Sequence, residues 1–199
     1  DALNNDIKIV SNQDQCLVYD KNVPNSGISW TELQNWYDEK LFLLDQGIDL
    51  KERLRDSLDS VPEYLFYDTY IEIMERNQGV VPALLPQVYL YYDPKLQKDR
   101  IKKIFEHQRM DFLMIFSEAQ RVVIEIDGVQ HYADYVKGNT RHYASVDKYA
   151  EMVSAQREMT LAGYDVYRFG GKELYDASVG KEIVKRFFEM LFEKYKIFV

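Results

Sequence analysis

The stretch Arg109-Met-Asp-Phe-Leu-Met-Ile-Phe116, followed after Ser117–Gln120 by Arg121-Val-Val-Ile-Glu-Ile-Asp-Gly-Val-Gln-His131, decides how the chain reads. Both halves are rich in β-branched and large apolar residues, and few residues join them, so they are expected to form an antiparallel strand pair. In the second strand, period-two alternation puts Val122, Ile124 and Ile126 on one face and Val123, Glu125 and Asp127 on the other. Two carboxylates thus share a face at the end of an apolar strand, where charge is costly unless paired or bound to a metal. Asp111 lies in the adjacent strand among Met110, Phe112 and Leu113. Three carboxylates from paired strands offer hard oxygen donors for Mg²⁺ or Mn²⁺, whereas a zinc site would draw on more His and Cys. Gly128 is expected to permit a sharp exit that returns Gln130 and His131 to the same edge. Singly these residues have plain explanations: a strand-end Asp-Gly is a common turn, a lone His is commonly structural, and Asp111 would serve as a partner for Arg109 or Arg121. Their joint occurrence on one strand–turn–strand unit is what points to chemistry.

Working outward, helical periodicity begins near Trp30, with Ser29 or Thr31 as N-cap and Leu33, Trp36, Tyr37, Leu41 and Leu44 on one face; Gly47 is expected to end it. Leu50, Leu54 and Leu58 suggest a second, short helix. Val61-Pro-Glu63 starts a third, capped by Ser60, with Leu65, Tyr67, Tyr70, Ile71 and Met74 apolar and Asn77-Gln-Gly79 as its stop. The period then changes to two over Gln87–Tyr92. After the strand pair, Ser145–Ala162 reads as a helix using Tyr149, Met152, Val153, Met159 and Leu161, Asp165–Phe169 as a strand, and Ser178–Tyr195 as a last amphipathic helix. The order is helices, then strand-strand-strand-helix-strand-helix, an α/β (mixed α+β) chain with a mixed sheet flanked by helices. Residues 1–28, rich in Asn, Gln, Asp and Ser, read as an extended lead-in or the tail of a preceding domain, and residues 29–59 as a helical extension. The first residue is Asp rather than Met, as expected of a piece of something longer.

The 199 residues, 46% apolar and 29% charged, are those of a globular chain that needs no disulfide to build its core. One cysteine, Cys16, fits a reduced, cytoplasmic setting. No apolar run approaches the ~20 residues of a membrane span. The net charge of −8 excludes a protein that coats nucleic acid by charge alone. It is unevenly spread: residues 1–90 sum to −9 and residues 91–199 to +1. Lys95, Lys98, Arg100, Lys102, Lys103 and Arg109 cluster, and Lys137, Arg141, His142 and Lys148 form a looser group. Either is a solvated loop or a local patch for a phosphate backbone.

Asp111 followed by Glu125-x-Asp127-Gly-x-Gln-His131 resembles the PD-(D/E)xK nuclease superfamily, in particular its branch related to very-short-patch-repair endonucleases. The resemblance extends to Ser60-x-x-Glu63 opening an aromatic helix, to Gln87 beginning a strand, and to Arg157, Leu161 and Gly163-Tyr-x-Val-Tyr-Arg168-Phe late in the chain. It covers roughly residues 60–175, and the αβββαβ order is the one that superfamily uses. It implies a restriction-endonuclease-like core within a nuclease-like domain at 60–199. The superfamily's usual Lys, two residues after the Glu, is Asp127 here, so a positive side chain cannot activate water from that position.

The resemblance implies a divalent-metal-dependent endonuclease that hydrolyses nucleic-acid phosphodiesters, DNA rather than RNA, as a repair or defence effector fused to or associated with a sensor domain. Asp111, Glu125 and Asp127 would hold Mg²⁺ or Mn²⁺, with Glu63 completing the shell through water or acting only as a first-turn helix acid. Gln130 would position water and His131 would orient it or move a proton. Lys102, Lys103, Lys137 and Arg141 would contact the phosphate backbone. Arg157 and Arg168 would reach phosphate or brace the acids, bracing being favoured. The alternative is a nuclease-fold module without catalysis that binds nucleic acid or a partner protein. A further alternative makes residues 29–77, with Trp30, Trp36 and the Tyr-rich helix, a docking surface for another subunit.

Overall fold

The computed structural model describes residues 17–44, 47–89, 109–135 and 142–197. Five helices are α1 (Trp30–Leu44), α2 (Leu50–Arg55), α3 (Val61–Arg76), α4 (Val146–Leu161) and α5 (Ala177–Lys194). The strands are β1 (Leu85–Tyr89), β2 (Arg109–Ile115), β3 (Arg121–Asp127), β4 (Ala133–Tyr135), β5 (His142–Ala144) and β6 (Tyr164–Gly170). The chain is mixed α/β. Its four-stranded sheet has the order β1-β2-β3-β6, antiparallel between β1, β2 and β3 and parallel between β3 and β6. No helix among the described residues is long and apolar enough to cross a membrane.

The caps explain where helices begin. Ser29 and Glu32 form a reciprocal box at α1, the Ser29 hydroxyl accepting from Glu32 N–H at 3.2 Å and Ser29 N–H donating to Glu32 Oε2 at 2.8 Å. Ser60 caps α3, where Pro62 supplies a helix-ready φ, and Asp176 caps α5 through Ser178 and Val179 N–H.

Strand alternation divides the core as the sequence indicates, except at Met110, which joins the smaller cluster. Phe112, Met114, Val122, Ile124 and Ile126 belong to the larger cluster with α1, α2, α3 and α5; Leu113 and Val123 belong to a smaller one sealed by Met159 of α4. The helical segment 29–59 has no core of its own, since Leu33, Trp36, Leu50 and Leu58 are buried in the larger cluster. Phe66 is its hub, stacked on Phe112 at 5.2 Å between ring centroids and edge-on to Phe169 at 5.2 Å, with Phe188 at 5.4 Å. The expected apolar face of α3 omits Phe66, while Leu65 and Ile71 are only partly buried; the core stripe is Phe66, Tyr67, Tyr70 and Met74.

Two expectations need correction, and two features go beyond the sequence reading. The end of the lead-in is tied to the sheet: Ile28 N–H donates to Ile115 O at 3.1 Å and Ile28 O accepts from Ala83 N–H at 2.7 Å. Gly27 there has φ 83°, and a Cβ would lie 2.1 Å from Ile115 O, so glycine is required. After β3, β4 and β5 pair as a two-stranded antiparallel sheet, which the sequence reading does not include. In α4 only Met159 is buried; Tyr149 and Leu161 are exposed. Gly128, at φ −73°, uses no glycine-only conformation, and the turn is a single 3₁₀ turn, Val129–His131. Cys16, the segment 90–108 and residues 136–141 lie outside the described residues.

Phe66→Ala is expected to lower stability by about 3–5 kcal/mol, and Leu161→Ala by less than about 0.5 kcal/mol, in urea unfolding monitored by circular dichroism.

Candidate functional site

The strand registers place four polar residues in one row across the sheet. Phe112 pairs with Ile124 and Leu113 with Val123, so Asp111 lies opposite Glu125. Glu125 pairs with Arg168 across the parallel β3–β6 ladder. Pro86 pairs with Phe112 and Val88 with Met110, which leaves Gln87 beside Asp111. Neighbouring strands are ~4.8 Å apart, so Gln87, Asp111, Glu125 and Arg168 follow one another at that spacing.

Each acid meets a different fate. Asp111 Oδ2 accepts from Ile126 N–H at 2.7 Å, tying β2 to the end of β3. Asp127, 9% exposed, accepts from Arg168 through both oxygens, from Nε at 2.7 Å and from Nη2. Bidentate pairing fixes geometry as well as charge. Glu63, 7% exposed, takes a hydrogen bond from Ser60 Oγ at 2.6 Å on Oε1, and from Asp59 N–H at 3.2 Å and Gln87 Nε2 at 2.8 Å on Oε2. Glu125, only 5% exposed, has an Oε1 atom with no hydrogen-bond partner.

Electrostatics follow from this burial. Burial pushes the Glu125 carboxyl up to about 8; the charges of Asp111 and Asp127 add to the shift, and Arg168 and Arg109 oppose it. Burial also raises Asp111 to about 6, with Glu63 adding and the Ile126 N–H, His131 and Arg109 pulling back. Arg168 loses from burial but gains more from Asp127, Glu125 and Asp111, and stays cationic. Arg109 itself reaches across to Asp59 at 2.7 Å on the surface.

His131 is exposed on the 3₁₀ turn, close enough for its charge to act on Asp111. The backbone of Gln130 lies in the same turn. Arg157 does not brace the acids: it is exposed on α4 and donates to Ser154 Oγ at 3.2 Å. Arg168 does the bracing. Lys102, Lys103, Lys137 and Arg141 fall outside the described residues. Two features escape a sequence reading: the bond from Gln87 to Glu63, and the departure of Gln87 from strand geometry at φ 53°. A lone Gln beside a Pro gives no signal for either.

Comparison of the chain with protein-family models, with curated proteins and with solved structures found no match in any of the three. Among the described residues, no group of three or more His, Cys, Asp or Glu side chains is gathered to hold a metal ion. The donor set still suits a hard cation, because Asp111 and Glu125 are adjacent and Glu125 Oε1 is buried without a partner, which a purely structural carboxylate would avoid. Asp127 and Glu63 are engaged by their own neighbours.

In EDTA, the folded state holds the Glu125 proton more tightly than the unfolded chain, so stability is expected to fall as pH rises from about 5 to 8. The slope is at most roughly 1.4 kcal/mol per pH unit for each such group. Glu125→Gln should flatten the curve above pH 6 in denaturant titrations; an unchanged slope rules this origin out. Arg168→Met strands Asp127 and is expected to cost about 3–5 kcal/mol at pH 7, with Asp127→Leu in the same chain recovering most of it in the same assay.

Proposed function

We propose that the chain is a divalent-metal-dependent nuclease acting on nucleic-acid phosphodiesters, DNA in the first instance, as the effector part of a repair or defence protein. One observation carries the reading: Asp111, half-buried, and Glu125, buried, lie opposite each other across β2 and β3, with a Glu125 oxygen left unpartnered. The order α3, β1, β2, β3, α4, β6, with the short β4–β5 pair inserted before α4, is what a restriction-endonuclease-like αβββαβ core would have, and supports it.

In this reading Asp111 and Glu125 hold Mg²⁺ or Mn²⁺. When bound, the ion lowers the pKa of a coordinated water and neutralises charge that builds on the phosphate. Arg168 keeps Asp127 in place and sets a positive charge beside Glu125, which favours the ionised carboxylate needed for binding. His131, exposed next to the acids, moves a proton to or from the reacting oxygens, and Gln130 positions water. Glu63, fastened at the start of α3, serves through its negative charge and its grip on Gln87. The basic residues at 102, 103, 137 and 141 would contact the backbone, and a sensor domain would direct the activity.

The alternative, a nuclease-fold module that only binds nucleic acid or a partner protein, is favoured by one fact. Arg168 occupies both oxygens of Asp127, at the position where the resembled superfamily carries its Lys. Binding in EDTA with no Mg²⁺ or Mn²⁺ uptake would decide for that module.

Purified protein is expected to cleave duplex or single-stranded nucleic acid with Mg²⁺ or Mn²⁺ and not with EDTA. Asp111→Asn and Glu125→Gln should each lower the rate by roughly 100-fold or more, and His131→Ala by roughly 100-fold. Cleavage undiminished in the Asp111 or Glu125 variant would refute the assignment.

A further inference from the structure

We propose that Gln87 is a third protein ligand of the hard divalent cation, joining Asp111 and Glu125 through its side-chain carbonyl oxygen. This rests on the nuclease reading only in taking the ligand to be such a cation. Glu125 Oε1 and Gln87 Oε1 are the two buried side-chain atoms without a hydrogen-bond partner among the described residues. Both belong to one row across the sheet, on either side of Asp111. Unpartnered buried acceptors are uncommon, and two that flank Asp111 in a row of four are best explained by a shared guest that is an electron-pair acceptor or a proton donor.

The amide's orientation is fixed by chemistry. A carboxylate can only accept, so the end of Gln87 that meets Glu63 at 2.8 Å must be Nε2, and Oε1 is directed elsewhere. Glu63 is itself immobilised by Ser60 Oγ and Asp59 N–H at the start of α3. The backbone cooperates. Gln87 has φ 53° inside a strand, outside the strand region of backbone geometry. Of the left-handed residues other than glycine among the described residues, Gln78, Gln87 and Lys196, only Gln87 lies within a strand.

Donor counting completes the case. Asp127 is taken by Arg168 and Glu63 by three donors, so two carboxylates remain to match the charge of a divalent ion. Such ions accept six or more oxygens, with neutral amide carbonyls and waters completing the shell. A neutral third ligand also avoids placing another negative charge beside Asp111 and Glu63.

The test uses the full chain with Mn²⁺ and with Ca²⁺ alone, without nucleic acid, by titration calorimetry and by the rise in melting temperature on cation addition. Gln87→Met, which keeps length and volume, is expected to weaken both cations at least ~10-fold and to shrink the melting-temperature rise, whatever its melting temperature in EDTA. Gln87→His, which exchanges the oxygen for nitrogen, should shift preference from Ca²⁺ towards Mn²⁺; a purely structural Gln87 would not move that ratio. If wild type and both Gln87 variants bind alike while Asp111→Asn does not bind, the inference is overturned and the nuclease reading stands. If wild type takes up neither cation at millimolar concentration, both fall.

Discussion

Two carboxylates set opposite each other on adjacent buried strands cannot both be ionised at neutral pH without a counter-charge. Asp111 and Glu125 impose that condition on everything around them. The surrounding elements each respond to it. β6 contributes Arg168 from the neighbouring register position, α3 contributes a capped N-terminus whose Glu63 is fastened from three sides, and β1 departs from regular geometry at Gln87. The protein compensates part of the charge with Arg168, which is also committed to Asp127. The balance is left for protons or for a cation.

Asp127 shows how a sheet handles a substitution at a charged position. An acid stands where the resembled superfamily carries a base, and the base stands on the neighbouring strand instead. Arg168 lies in register with Glu125 and reaches along the ladder to grip Asp127 with two hydrogen bonds. A guanidinium suits this task because its fork matches a carboxylate and it stays charged when buried. The net charge of the row is thereby closer to neutral than the acidic residues alone suggest.

Much of this was legible in the residues themselves. The β2–β3 pair, its alternation and the caps at Ser29 and Ser60 rest on local rules that tertiary context left intact. What local rules cannot carry is register between strands distant in sequence. Nothing near Arg168 announces Asp127, 41 residues earlier, as its partner. The β4–β5 pair was illegible for a different reason: Ala133-Asp-Tyr135 and His142-Tyr-Ala144 are too short to display a period. In α4 the apolar residues suggested a buried face, yet a helix over a sheet face needs few contacts, and Met159 supplies the seal. Phe66 was hidden among neighbours equally aromatic, where composition cannot rank one ring above another.

The hydrogen bonds of Ile28 have a mechanical meaning. Continuing the β1–β2 register past Leu85 and Leu113 would match Ala83 with Ile115, and Ile28 is inserted between those two, bonded to each. It acts as a wedge in a zipper, holding two strands apart by an extra chain's width while lending its own amide and carbonyl to both. The helices that follow it are thus riveted to the hairpin bearing Asp111 and Glu125, the N–H of Ile28 holding one strand and its carbonyl the other.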